Sequence, residues 1–113
     1  MKTAKLINVI WTDPAKSYLK EIYIYHKKVA SVRVAISIKD KITQASKSLK
    51  TLERRGQLEA LLKDRTDEYR YLIVGNYKII YQPTPTSIYI TDVFDCRQNP
   101  VKLTKRTFRP KHL

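Results

Sequence analysis

The chain has 113 residues, 42% of them hydrophobic, with one cysteine and a formal net charge of +13. That is about one domain with apolar content enough for a core, and we expect a single unit over residues 1–113. The apolar run Leu6 to Trp11 is far shorter than the roughly 20 residues of a membrane-spanning helix and lacks the small-residue cleavage site of a secretory leader.

Lone Cys96 rules out an internal disulfide and suits a reducing, cytoplasmic setting. With only two glycines and no low-complexity tract, a linker is not expected.

Leu6 to Trp11 reads as a first strand. Thr12-Asp13-Pro14 then signals a helix start, a capping side chain followed by a proline whose missing N–H would be unpaired there anyway. Ala15, Tyr18, Ile22, Tyr25 and Val29 follow at spacings of three or four and form one apolar stripe, with Lys16, Lys20, Lys27 and Lys28 opposite. Ala35, Ile38, Ile42, Ala45, Leu49 and Leu52 repeat the pattern in a second helix, capped by Ser31 and stopped by Gly56.

From Ala15 to Lys63 twelve Lys and Arg face four acids, and from Arg97 to the end six cations face none. Such an excess favours polyanionic partners, because covering phosphates releases condensed counterions. Most single lysines on the helices read as solvated faces. The tail, with Lys102, Lys105, Arg106 and Arg109, is the expected nucleic-acid or acidic-protein contact.

Tyr69 to Val74 and Tyr77 to Gln82 are rich in Tyr, Ile and Val and are joined by Gly75-Asn76, which predicts a tight antiparallel hairpin. After the break at Pro83 to Thr86, Ser87 to Asp95 adds a third strand. This turn sets Val74 opposite Tyr77, Leu72 opposite Ile79 and Arg70 opposite Tyr81, so Leu72, Val74, Tyr77 and Ile79 form the core face. Tyr69, Tyr71, Ile73, Lys78, Ile80 and Gln82 then make up an open second face, the expected working surface. Helices with one apolar stripe each need a sheet to cover. The fold expected is α+β: an N-terminal strand, then an antiparallel helical hairpin packed on one face of an antiparallel β-sheet.

Two stretches carry a resemblance. Y-R-x-L-x-V-G-x-Y-K-I-I-Y at Tyr69 to Tyr81, and I-x-I-x-x-V-F-D-x-R-Q-N-P at Ile88 to Pro100, resemble the RelE/ParE superfamily of toxins from bacterial type II toxin-antitoxin systems. The order of strand and helical pair extends the likeness over nearly the whole chain. The resemblance implies a growth inhibitor neutralised by a cognate antitoxin, whose acidic or amphipathic segment would cover the basic sheet face. RelE-like members cut mRNA on the ribosome, without a metal, whereas ParE-like members inhibit DNA gyrase. No membrane, metal or small-molecule cofactor is implied.

Metal-free RNA cleavage needs a proton acceptor, cations to hold the phosphorane and a proton donor. The resemblance assigns phosphate stabilisation to Lys78 and Arg97, expected to act on a common surface; Lys78 lacks the bidentate fork of an arginine. After Arg97 the chain reads Gln98-Asn99-Pro100-Val101-Lys102-Leu103, with neither tyrosine nor histidine. Tyr71 is the substitute proton carrier on the hairpin; Asp95 and near-terminal His112 are weaker candidates.

The remaining residues have plainer expectations. Cys96 should be a buried or half-buried thiol, His26 solvated and Trp11 core. Arg70 should pair with Asp92 or Glu68 if it is structural. The alternatives to an active toxin are a non-catalytic basic module that binds RNA or the ribosome, and a degenerate toxin that keeps only antitoxin binding.

Overall fold

The computed structural model describes residues 7–51 and 55–106. The elements run β1 (Asn8–Trp11), α1 (Asp13–Val29), α2 (Val32–Lys47), β2 (Gln57–Leu58), β3 (Arg70–Val74), β4 (Tyr77–Pro83), β5 (Ser87–Asp95) and α3 (Val101–Thr104), with short 3-10 turns at Ser48–Lys50 and Ala60–Leu62. The sheet order is β1-β5-β4-β3-β2, antiparallel except that β1 runs parallel to β5. The α+β arrangement, with a helical hairpin on one sheet face, is as expected.

Local chemistry explains the boundaries. Thr12 caps α1 by accepting from the Ala15 N–H at 3.4 Å, and its hydroxyl donates to the Ile90 carbonyl at 2.7 Å, tying the helix start to β5. Ser31 accepts from the Val34 N–H at 3.1 Å and opens α2. Gly75 has φ +58°, the only positive φ among the described residues, as a turn with glycine at its first central position requires. The hairpin register follows: Val74 pairs with Tyr77, Leu72 with Ile79 and Arg70 with Tyr81.

Two expectations about the fold, and the general rule of strict strand alternation, need correction. Gly56 does not stop α2, which ends at Lys47. There Ser46 and Ser48 donate their hydroxyls back to the carbonyls of Thr43 (2.8 Å) and Ala45 (2.6 Å), competition with the ladder that favours a helix end. Gly56 is instead a close approach: a Cβ there would lie 2.4 Å from the Tyr71 carbonyl oxygen and 2.6 Å from the Tyr81 hydroxyl. Leu52 of the expected stripe lies outside the described residues.

Second, β5 does not alternate strictly. A register shift at Ile80/Tyr81 places Ile80 against Asp92 but Tyr81 against Ile90, so Thr91 is the extra residue. Ile88, Ile90 and Val93 therefore all join the helix-side core, while Phe94 turns to the other face.

Third, the expected working surface is mostly not a surface. Ile80 is fully buried, and Tyr69 and Gln82 are buried. Leu62, Tyr69, Phe94 and Leu103 close over Ile80 as a second, smaller apolar cluster, because the segment after β2 and α3 both fold onto this side. Ile73 stays exposed, and Tyr71 and Lys78 half-buried.

Candidate functional site

Lys78 leaves β4 on the side away from the helices. Its ammonium donates to Glu59 Oε1 at 2.7 Å and sits 4.4 Å from the centroid of the Tyr71 ring. Glu59 is nearly sealed, with 2% of its side chain exposed against 20% for Lys78. Its second oxygen accepts from the Leu61 N–H at 3.2 Å, and Tyr71 donates its hydroxyl to Gln57 at 3.2 Å. Glu59 was not anticipated from sequence: an isolated acid in an irregular segment carries no periodic signal.

Arg97 points elsewhere. It grips Asp95 with Nε to Oδ1 at 3.0 Å and a terminal nitrogen to Oδ2 at 2.8 Å. That fork holds the Asp95 carboxyl below its ordinary range, mainly through the hydrogen bond itself. In register, Lys78 pairs with Phe94 and Tyr77 with Asp95, so strand alternation sends Asp95 and its arginine to the helix side. The expected common surface for Lys78 and Arg97 is thus not formed. Each cation is neutralised by its own carboxylate, on opposite faces of the sheet.

On the helix side Arg97 lines a cleft of about 320 Å³ between α1 and β5, with Tyr18, Glu21, Tyr25, Tyr77 and Arg106. His26 is not solvated there: its Nε2 lies 2.7 Å from the Tyr77 hydroxyl, and Tyr25 meets it edge-on at 5.1 Å. Burial pushes the Tyr77 phenol above its ordinary range, so it stays protonated near neutrality. His26 follows Ile22 by four residues and so continues the core-facing, partly buried side of α1 formed by Tyr18 and Ile22, a signal the sequence carried, whereas Tyr25 and Val29 of the expected stripe are exposed.

The basic tail divides. Lys102 and Lys105 are exposed and in no ion pair with a described residue. Arg106 turns inward to pair with Asp92, its guanidinium 3.9 Å from the Tyr18 ring centroid and 5.0 Å from that of Phe94. Asp92 is fully buried, and its Oδ2 has no hydrogen-bond partner among the described residues. Burial raises its carboxyl to about 6 against the pull of Arg106. Arg109 and His112 lie outside the described residues.

Arg70 is structural, bound to Glu68 at 2.6 Å and donating to the Gly56 carbonyl at 2.7 Å. Trp11 is half-buried against the core edge. Cys96, expected to be at least half-buried, is exposed at the end of β5, beside the hairpin turn. Among the described residues no helix is long and apolar enough to cross a membrane, and no three His, Cys, Asp or Glu side chains are grouped to hold a metal.

A family model described as the ParE toxin of the type II toxin-antitoxin system parDE matches residues 9–100. The chain belongs to the ParE toxin family. A solved structure described as the chromosomal ParDE TA system from P. aeruginosa has the same fold, with a TM-score of 0.68 at 16% identity, covering 80% of this chain and 97% of that one. No curated protein matches the chain. The ParE match takes in α1, α2 and all the strands except the first residue of β1, and it stops before α3, Lys102, Lys105 and Arg106.

Proposed function

We propose that this ParE-family chain is a growth-inhibiting toxin that acts on DNA gyrase without cutting RNA, and that a cognate antitoxin silences it. The observation that carries this reading is the separation of Lys78 from Arg97: two neutralised cations on opposite sheet faces do not form a joint clamp for a scissile phosphate. The absence of tyrosine and histidine between Arg97 and Arg106 supports it further.

The test is induction of the chain alone in a bacterium, followed by primer extension on cellular mRNA. Growth should stop with transcripts intact, and rescue should come from the small protein encoded beside it. Normal growth would rule out an active toxin. Arrest with cuts inside codons would rule out the gyrase assignment.

One observation favours a second reading. Glu59, Lys78 and Tyr71 bring a carboxylate, an ammonium and a phenol together on one face, the residue types that base catalysis, charge stabilisation and proton donation use. On that reading Lys78→Ala abolishes cleavage and Arg97→Ala does not.

A further inference from the structure

Arg70, Lys78, Arg97 and Arg106 are each matched to an acid of their own. Three lysines of the helical pair are not. Lys16 and Lys20 of α1 and Lys39 of α2 are exposed, are in no ion pair with a described residue, and stand together on the rim of a groove of about 380 Å³ between the two helices. Trp11, Leu19 and Tyr23, all half-buried, form its floor. No carboxylate among the described residues lines it: Asp13 and Glu21 of α1 and Asp40 of α2 are not part of its wall. Lys16 and Lys20 lie one helical turn, about 6 Å, apart.

We infer that this groove binds single-stranded DNA, with a base stacked on Trp11 and the flanking phosphates on Lys16, Lys20 and Lys39. The inference goes beyond the toxin reading and rests on it only for the choice of DNA, since a chain that acts on gyrase works beside DNA. Sites for single strands combine cations that track the backbone with aromatic rings that accept any base. Both are present in this groove. Trp11 makes no ring or cation contact with a described residue, so its face is open to a base, whereas Lys39 stands 5.8 Å over the Tyr23 ring and covers it. Lysines supply charge without the fixed fork of arginine, which suits phosphates whose positions vary along a flexible strand. A duplex keeps its bases stacked on one another and has none to lay on Trp11. An acidic peptide matches the rim equally; the bare indole face beside it favours nucleic acid, because every base has a π-face. The polyanion contact expected of the tail thus moves to the helices, Arg106 being held by Asp92.

Trp11 is the chain's only tryptophan, so the groove carries its own reporter. Oligo-dT added to the purified chain should quench Trp11 emission, as a stacked base does, while duplex DNA of the same length leaves it unchanged. Three phosphate contacts at about −0.7 each predict that log K falls against log salt with a slope of about −2. The triple variant Lys16→Gln/Lys20→Gln/Lys39→Gln should bind at least tenfold more weakly with unchanged circular dichroism, whereas Lys102→Gln/Lys105→Gln in the tail should bind as the parent does.

Binding seen by gel shift without quenching, or lost in the tail variant and kept in the triple variant, overturns the groove. Oligo-U RNA bound more tightly than oligo-dT overturns the choice of DNA. Polyglutamate that binds and shifts Trp11 emission, where oligo-dT does neither, assigns the groove to an acidic protein and overturns the inference. A chain that inhibits gyrase but binds no oligo-dT overturns it too and leaves the toxin reading intact. If oligo-dT quenches Trp11 while gyrase is undisturbed, the groove stands and the gyrase reading falls.

Discussion

Replacing Asp92 with Asn changes how stability depends on pH, by an amount the structure sets. Asp92 is fully buried beside Arg106, and two opposing effects act on it: burial penalises the carboxylate and Arg106 stabilises it. Burial wins, placing the folded carboxyl at about 6, against about 3.9 in an unfolded chain. Between those values the folded protein keeps a proton that the unfolded chain has released, so stability falls as pH rises from about 4 to 6 and is level above. Two pH units at about 1.36 kcal/mol each amount to about 3 kcal/mol.

Asp92→Asn has no proton to lose. Urea unfolding of parent and variant at pH 4, 5, 6, 7 and 8 in constant salt should show the variant gaining about 2 kcal/mol on the parent between pH 4 and pH 7, because the unfolded carboxyl is already half ionised at pH 4. Parallel curves would mean that Arg106 cancels the burial penalty. A parent that gains on the variant as pH rises would reverse the argument, making the ion pair the dominant effect.

Lys78→Ala strands the sealed Glu59 charge and should cost about 3 kcal/mol in urea unfolding; lost toxicity at unchanged stability would instead make Lys78 a functional residue. Tyr77→Phe removes the hydroxyl that His26 meets, with an expected loss of about 1 kcal/mol in the same assay and little effect on growth arrest. Gly56→Ala forces a methyl group into the Tyr71 carbonyl and should lose about 1–3 kcal/mol. Adding Tyr81→Phe should not rescue it, because the nearer obstacle, at 2.4 Å, is backbone.

Features governed by neighbouring residues were legible in the sequence. Thr12 and Ser31 cap helices because their side chains reach the N–H three residues on, and Gly75-Asn76 fixes the hairpin register by turn geometry alone. What escaped depends on distant chain. Thr91 becomes an extra residue only where β5 meets β4, and that shift decides that Val93, not Asp92, enters the main core. Ile80 and Tyr69 looked surface-bound on a half-covered sheet until Leu62 and Leu103 closed over them.

The site shows the same division. Arg97 was recognisable as a cation after the last strand, but its fork to Asp95 and the side it faces follow from strand parity. Arg106 read as part of a basic tail that contacts nucleic acid or an acidic protein; only the fold brings Asp92, Tyr18 and Phe94 around it. His26 was misread for a different reason: its place four residues after Ile22 marked it as inward, yet its lysine neighbours suggested solvent.

DNA supercoiling by purified gyrase, assayed with increasing amounts of this chain, tests the central claim most directly. The account predicts dose-dependent loss of supercoiling, reversed by the neighbouring small protein, while mRNA on purified ribosomes stays whole at the same doses. Undisturbed gyrase together with cut ribosome-bound mRNA would contradict it.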